Sequence, residues 1–305
     1  MKTCFPIRLF MLLASVPVLV QVLATPVHSA TPATTIAAPT RFSVTVTGKG
    51  PDVILIPGLA SSGHVWDTTV AQLKGRYRVH VVQVAGFAGA PVRGNATGPV
   101  VAPFVAELAQ YIAATKLQKP AVIGHSLGGL SALMLAADQS EAVGKIMIVD
   151  SLPWYGMLFG PMATMDGVLA QGAKIRDGMI GDGQAAYVAG VPKSMARLVK
   201  STGPQAKAAI AAGEASDVDV TARAFYDVLA TDMRPRLAGI TTPVTMLYPW
   251  DETTRLPQAA FDALYTGAFA PLPNKTIKRI DGSYHFIQVD QPTAFAAEVE
   301  AFLAR

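Results

Sequence analysis

Residues 121–137 read AVIGHSLGGLSALMLAA: an apolar run, then Gly-His-Ser-Leu-Gly-Gly, then small and aliphatic residues. The first five have the length and character of a buried strand, and the segment from Leu127 to about 138 has helical spacing. A strand that passes directly into a helix turns sharply at its central residue, here Ser126. Such a turn strains the backbone of that residue and presses its neighbours against adjacent chain, where a Cβ would clash. Gly124 and Gly128 meet that demand. The turn raises the serine hydroxyl clear of a sheet at a helix N-terminus, whose free N–H groups favour developing negative charge. A lone Gly-x-Ser-x-Gly recurs by chance. The strand before and the helix after are what mark Ser126 as a nucleophile. Gly129 reads as a helix-packing position.

Outward from this turn, strand-length apolar runs bounded by turn residues fall at 41–48, 52–58, 78–86, 121–125, 145–150, 243–249 and 275–281. Helical spacing fits near 64–74, 102–116, 127–138, 257–266 and 291–304. Strands alternating with helices predict an α/β fold with one mostly parallel sheet covered on both faces. Residues 152–238 break the alternation. They hold no convincing strand but many Ala, Gly and Met residues, and they separate strands of the same sheet, which predicts a helical cap inserted into a core of 41–151 and 239–305. The methionines suit either a core or a deformable apolar wall over a pocket.

A serine needs a base. Of the five histidines, His28 lies before the first strand, His64 follows the second, His80 sits within a strand and His125 adjoins the serine. His125 reads as a packed or hydrogen-bonded support. Only His285, in GSYHFIQVDQPTAF, follows the serine at long range, and in the chain order serine, acid, histidine it is the base. The acid that orients it has several candidates. Asp251 ends the strand in PVTMLYPWD, at the edge where catalytic groups collect in open α/β sheets, and is favoured. Asp150, ending KIMIVD, is the main competitor. Glu252 is weaker, and Asp281 stands too near His285 to orient it easily. An oxyanion needs two preorganised donors: the backbone N–H of Leu127, next to the nucleophile, and that of Leu59, after Gly58. The stretch IPGLASSGHVWD also suits an ordinary turn with Ser61 or Ser62 capping a helix.

The chain has 305 residues, 51% of them hydrophobic, enough for a substantial core. Lys2 and Arg8 precede an apolar run from Leu9 to Ala24 and then small residues, which reads as an export signal, residues 1–24 with cleavage as late as 30 as the alternative. The run is short for a spanning helix and contains Pro17, so no stable membrane anchor is expected after cleavage. Residues 25–40, rich in Ala, Thr and Pro, read as a tether. The expected location is periplasmic or secreted. Removing the leader lowers the formal charge from +4 to +2 and removes Cys4, the only cysteine, so the mature chain has no disulfide, thiol nucleophile or cysteine metal site. Its Lys and Arg residues form no basic run, which argues against nucleic-acid binding.

With PGLASSGHVW, GHSLGG, ATDMRPRLAGITTPVTMLYPWD and GSYHFIQVDQPTAF in this order, residues 45–305 resemble the α/β-hydrolase superfamily, in its branch of capped serine esterases and lipases. The resemblance implies an eight-stranded, mostly parallel sheet with helices on both faces, a Ser126–Asp251–His285 triad, no cofactor and no metal. Two departures stand out. Pro57-Gly58 replaces the usual His-Gly of the oxyanion loop, and Gln83 in VQVAGFAGAP stands where the family has a structural aspartate. A serine at the elbow excludes relatives with a carboxylate nucleophile. The expected function is hydrolysis of small esters with an apolar acyl or aryl group through an acyl-enzyme. The same triad would also serve amide, N-terminal peptide, carbon–carbon or perhydrolysis chemistry, and a non-catalytic binding protein is the remote alternative.

Overall fold

A computed structural model describes Met1, residues 38–254 and residues 257–305. All of the predicted signal but Met1 and all of the tether but 38–40 lie outside the described residues. No described helix is long and apolar enough to cross a membrane.

Seven strands form one sheet: β1 (Phe42–Gly48), β2 (Asp52–Ile56), β3 (Arg78–Val84), β4 (Ala121–His125), β5 (Lys145–Val149), β6 (Val244–Trp250) and β7 (Lys275–Asp281). Their order is β1-β3-β2-β4-β5-β6-β7, with β1 antiparallel to β3 and every other pair parallel. Each run read from the sequence is a strand, with ends displaced by two residues at most. The implied eighth strand is absent from the described residues: only 38–41 precede β1, too few for another strand-length run. β1, at one edge, is largely exposed, whereas β2, β4, β5 and β6 are buried almost throughout. That contrast explains the sequence pattern, because strands covered on both faces have no polar side to show.

Helices α1 (Asp67–Leu73) and α9 (Pro292–Ala304) pack on one face, where Trp66, Phe295 and Phe302 meet Val53, Ile123 and Met147. On the other face α2 (Val101–Ala114) and α3 (Leu127–Asp138) bury Phe104, Leu108 and Leu130 against Ile54, Val122 and Ile148. Between β5 and β6 the chain is helical, as expected: α4 (Met165–Met195), α5 (Pro204–Glu214) and α6 (Val218–Ala230). α4 breaks at Gly183, whose φ of 78° ends one helical run and starts the next. α7 (Gln258–Ala268) and the single turn α8 (Ile287–Asp290) complete the fold.

The chain steps from β2 outward to β3, then returns to place β4 on the other side of β2. Crevices at the carboxyl ends of strands flanking such a reversal are where open α/β sheets bind ligands. The residues after β2 and after β4 are Gly58, Leu59 and Ser126.

Candidate active site

β4 ends at His125 and α3 begins at Leu127, so Ser126 alone makes the turn, with φ 53° and ψ −119°. A non-glycine residue there stores on the order of 1–3 kcal/mol of strain. The Ser126 N–H donates to the Val149 carbonyl at 2.9 Å, and its own carbonyl accepts from Gly129 and Leu130. The flanking glycines are required by contact. A Cβ on Gly124 would stand 2.1 Å from the Gly128 carbonyl oxygen, and one on Gly128 would stand 2.3 Å from that of Ile56. A Cβ on Gly129 would stand 3.0 and 2.8 Å from the Ile148 and Ser151 side chains, the close helix packing predicted for it.

The loop after β2 lies against this elbow. A Cβ on Gly58 would approach the Ser126 Cβ at 3.2 Å and His125 Nδ1 at 2.9 Å. The N–H groups of Leu59 and Leu127 have no protein acceptor among the described residues. Gln83 fastens the loop: its Oε1 accepts from the Gly63 N–H at 2.9 Å, and its Nε2 donates to the carbonyls of Val84 and Phe87. An amide here supplies donor and acceptor together, which accounts for the departure at this position.

His285 follows β7 in the turn before α8. Its Nδ1 lies 2.6 Å from Asp150 Oδ2. A carboxylate accepts, so Nδ1 carries the proton and Nε2 keeps its lone pair, the tautomer a general base needs. Tyr265 on α7 donates its hydroxyl to Asp150 Oδ1 at 2.5 Å, so both carboxylate oxygens are engaged in a buried setting. Asp150 has φ 43°, and its N–H donates to the Leu247 carbonyl.

The favoured acid, Asp251, is therefore corrected: the carboxylate brought to His285 is the competitor, Asp150. Asp251 is buried and taken by other partners. Lys200 Nζ meets its Oδ2 at 2.5 Å, while the Thr253 N–H and hydroxyl donate to Oδ1 at 3.0 and 2.6 Å. The Lys200 ammonium and the Thr253 donors hold its pKa down at about 2. A carboxylate already neutralised by an ammonium has little field left for an imidazolium, whereas the phenol on Asp150 is neutral and leaves the charge in place. Asp281 pairs with Arg279 instead.

Ser126 and His285 line one cavity of about 620 Å³ with Leu59 and cap residues that include Met179, Met195, Leu198 and Phe225. Its walls are mainly apolar, and α4 supplies much of them.

Residues 53–298 match the alpha/beta hydrolase family, spanning the elbow, the cap and His285. The chain belongs to the alpha/beta hydrolase family. A pimeloyl-(acyl-carrier protein) methyl ester esterase of Aeromonas salmonicida is 37% identical over 108 residues, a match covering 35% of this chain and 41% of that relative. Another from Vibrio atlanticus is 34% identical over 117 residues, covering 38% of this chain and 43% of its own length. Among solved structures, an esterase from Exiguobacterium antarcticum superposes with a TM-score of 0.72 at 16% identity, covering 87% of this chain and 96% of its own. The enol-lactonase from Burkholderia xenovorans gives 0.68 at 17% identity, covering 87% and 96%.

In this alpha/beta hydrolase His125 is the support read from its position. Its Nε2–H donates to the His285 carbonyl at 3.0 Å, the two rings lie 4.6 Å apart, and burial pushes its pKa well below the usual histidine value. His64 is exposed beside Asp67, and His80 bonds Asp52 and Tyr111. The cap is stitched to the histidine loop on both sides. The Phe286 N–H donates to the Leu198 carbonyl, and the N–H groups of Lys200, Ser201 and Tyr284 share the Asp290 carboxylate. Lys200 thus belongs to a fastening of the cap. Tyr265 and Lys200 carried no signal in the sequence: Tyr265, four residues after Phe261 on α7, has the spacing of ordinary core. Tyr155, whose hydroxyl donates to Ser151, is a further unforeseen neighbour; burial raises its pKa to about 12, against the Ser151 and Ser126 hydroxyls.

Proposed function

We propose that the protein is a serine hydrolase of carboxylic esters that works through an acyl-enzyme on Ser126, with His285 as base and Asp150 as acid. The observation that carries this reading is the 2.6 Å contact of His285 Nδ1 with Asp150, in a histidine that shares a cavity with a serine at a strained strand-to-helix turn. The Ser126 oxygen attacks the ester carbonyl as its proton passes to His285 Nε2, and the carbonyl electron pair moves onto oxygen. The Leu59 and Leu127 N–H groups receive that oxyanion, each worth on the order of 3 kcal/mol. The imidazolium, held by Asp150, then protonates the departing alcohol, and water repeats the sequence in reverse to release the acid. The esterase names of the sequence relatives support the ester class, although each match spans less than half of the relative.

The cavity suits an apolar acyl or aryl group, because Met179, Met195 and Phe225 offer deformable and aromatic surface and few fixed charges. Ser126→Ala tests the reading on short p-nitrophenyl esters. Turnover falls by roughly 10⁶ and fluorophosphonate labelling disappears while the fold persists; retained turnover overturns it. For the N-terminus the proposal is export, with cleavage after residue 24. N-terminal sequencing of protein recovered from the periplasm or medium checks it, and an intact Met1 there refutes it.

A further inference from the structure

We infer that Tyr265 is a positioning residue for this hydrolase: its hydroxyl, bonded to the Asp150 oxygen that His285 does not use, fixes the carboxylate plane and tempers its charge. The inference rests on the proposed Ser126–His285–Asp150 reading.

The geometry is specific. Asp150 Oδ2 receives His285 Nδ1 at 2.6 Å and Oδ1 receives the Tyr265 hydroxyl at 2.5 Å. All of Asp150, Tyr265 and the neighbouring Ser151 are buried. The phenol cannot swing away easily, because its ring stacks on Tyr248 with centroids 4.6 Å apart and planes 13° apart, and the Phe261 ring tilts against it with centroids 5.3 Å apart. Tyr248 is itself held by its own hydroxyl on Asp262. A buried carboxylate oxygen without a donor is costly, and a carboxylate with one anchored oxygen cannot rotate about its Cβ–Cγ bond without breaking that bond. Tyr265 therefore supplies what a lysine supplies to Asp251, hydrogen bonding, without the cation that would cancel the field at the imidazole. Burial beside Asp150 raises the phenol well above its usual range, so it stays a donor and takes no part in proton transfer.

The charged and titratable groups around this pair are few. His125 faces His285 from the end of β4, Tyr155 faces Asp150 from the segment after β5, and Tyr248 stands behind Tyr265 on β6. None of the described lysines, arginines or other carboxylates bonds Asp150 or His285. His125 is buried and neutral, so the acid limb of the rate profile reports His285 under the influence of Asp150.

Tyr265→Phe on the full chain tests this. The ring and its stack are retained. Loss of a hydrogen bond to a charged group lowers plateau kcat by about tenfold with KM within about twofold. The unshared charge then favours the imidazolium more strongly, so the acid limb of kcat/KM moves up by about half a pH unit. The low-field proton resonance of His285 Nδ1 shifts with it. Tyr248→Phe, which removes a hydroxyl that does not touch Asp150, leaves limb and resonance in place. An acid limb in Tyr265→Phe that stays put or moves down overturns the inference, whatever happens to kcat. Asp150→Asn separates this from failure of the underlying reading. If Asp150→Asn is inactive while the Tyr265→Phe limb is unmoved, only the role of Tyr265 fails; if Asp150→Asn is fully active, the triad itself fails.

Discussion

Two aspartates end neighbouring parallel strands at the same edge of the sheet, and exchanging each for asparagine separates their roles. In Asp150→Asn the imidazolium formed at His285 loses a carboxylate 2.6 Å away. With charge centres about 4 Å apart and an effective dielectric near 20, that attraction is about 4 kcal/mol, or roughly a thousandfold in rate. The structure adds a second penalty. Tyr265 offers a hydrogen to one side of residue 150, so the new amide turns its oxygen there and its NH₂ toward His285. An NH₂ facing Nδ1 selects the imidazole with its proton on Nε2, which cannot accept from Ser126, and kcat should fall by about 10⁴ in all. Asp251→Asn, by contrast, removes the partner of Lys200 and leaves the histidine untouched, so kcat should stay within about threefold. Initial rates on a p-nitrophenyl ester, divided by active sites titrated with a fluorophosphonate, measure both. The reasoning is refuted if the Asp251 variant loses as much as the Asp150 variant, or if Asp150→Asn keeps a tenth of wild-type turnover. Freeing the amide with Tyr265→Phe in the Asp150→Asn background should recover several-fold activity, since the oxygen is then able to face His285.

The other predictions concern the fold that holds the site. Asp251, depressed to about 2 against roughly 3.9 in an unfolded chain, adds stability that is present above pH 4 and lost as pH falls from about 4 toward 2. Lys200 is half-exposed, so the contribution is modest. Urea midpoints at pH 6 and pH 3 should therefore differ less in Asp251→Asn than in wild type, and an unchanged difference would contradict the assignment. Gly128→Ala should cost about 3 kcal/mol or prevent folding, because its Cβ meets the rigid backbone oxygens of Ile56 and Pro57 at 2.3 and 2.7 Å. Gly75→Ala, with open space around it, should change the urea midpoint little, and equal effects of the two would remove the steric account of the elbow.

The choice between the aspartates shows how partners, more than residue type, decide a carboxylate's use. β5 and β6 run side by side with Val149 level with Leu247, so Asp150 leaves its strand three residues, about 10 Å, short of the level at which Asp251 leaves the next one. Their surroundings diverge because different distant segments reach them. The cap contributes Lys200 to Asp251, and α7 contributes Tyr265 to Asp150. The same ammonium that helps fasten the cap beside the histidine loop takes Asp251 out of contention.

Local physics was legible in the chain by itself. The glycines around Ser126 announce a turn that only close backbone contact explains, the seven apolar runs announce the strands of one sheet, and the absence of any other histidine late in the chain singles out His285. The helical character of 152–238 follows likewise from the lack of strand-length runs. The turn, the strands and the helical segment depend on residues within a few positions of one another, and His285 on chain order alone, so sequence pattern suffices. The eighth strand that the resemblance implies does not appear among the described residues, of which only 38–41 lie directly before β1. Tertiary structure alone decided which aspartate meets the imidazole, that Tyr265 completes it, and that Gln83 fastens the loop carrying Leu59. Those outcomes turn on contacts between residues 51 to 135 positions apart, or on which side of a strand a loop returns. Two carboxylates that each end a parallel strand are told apart chiefly by what the rest of the chain folds against them.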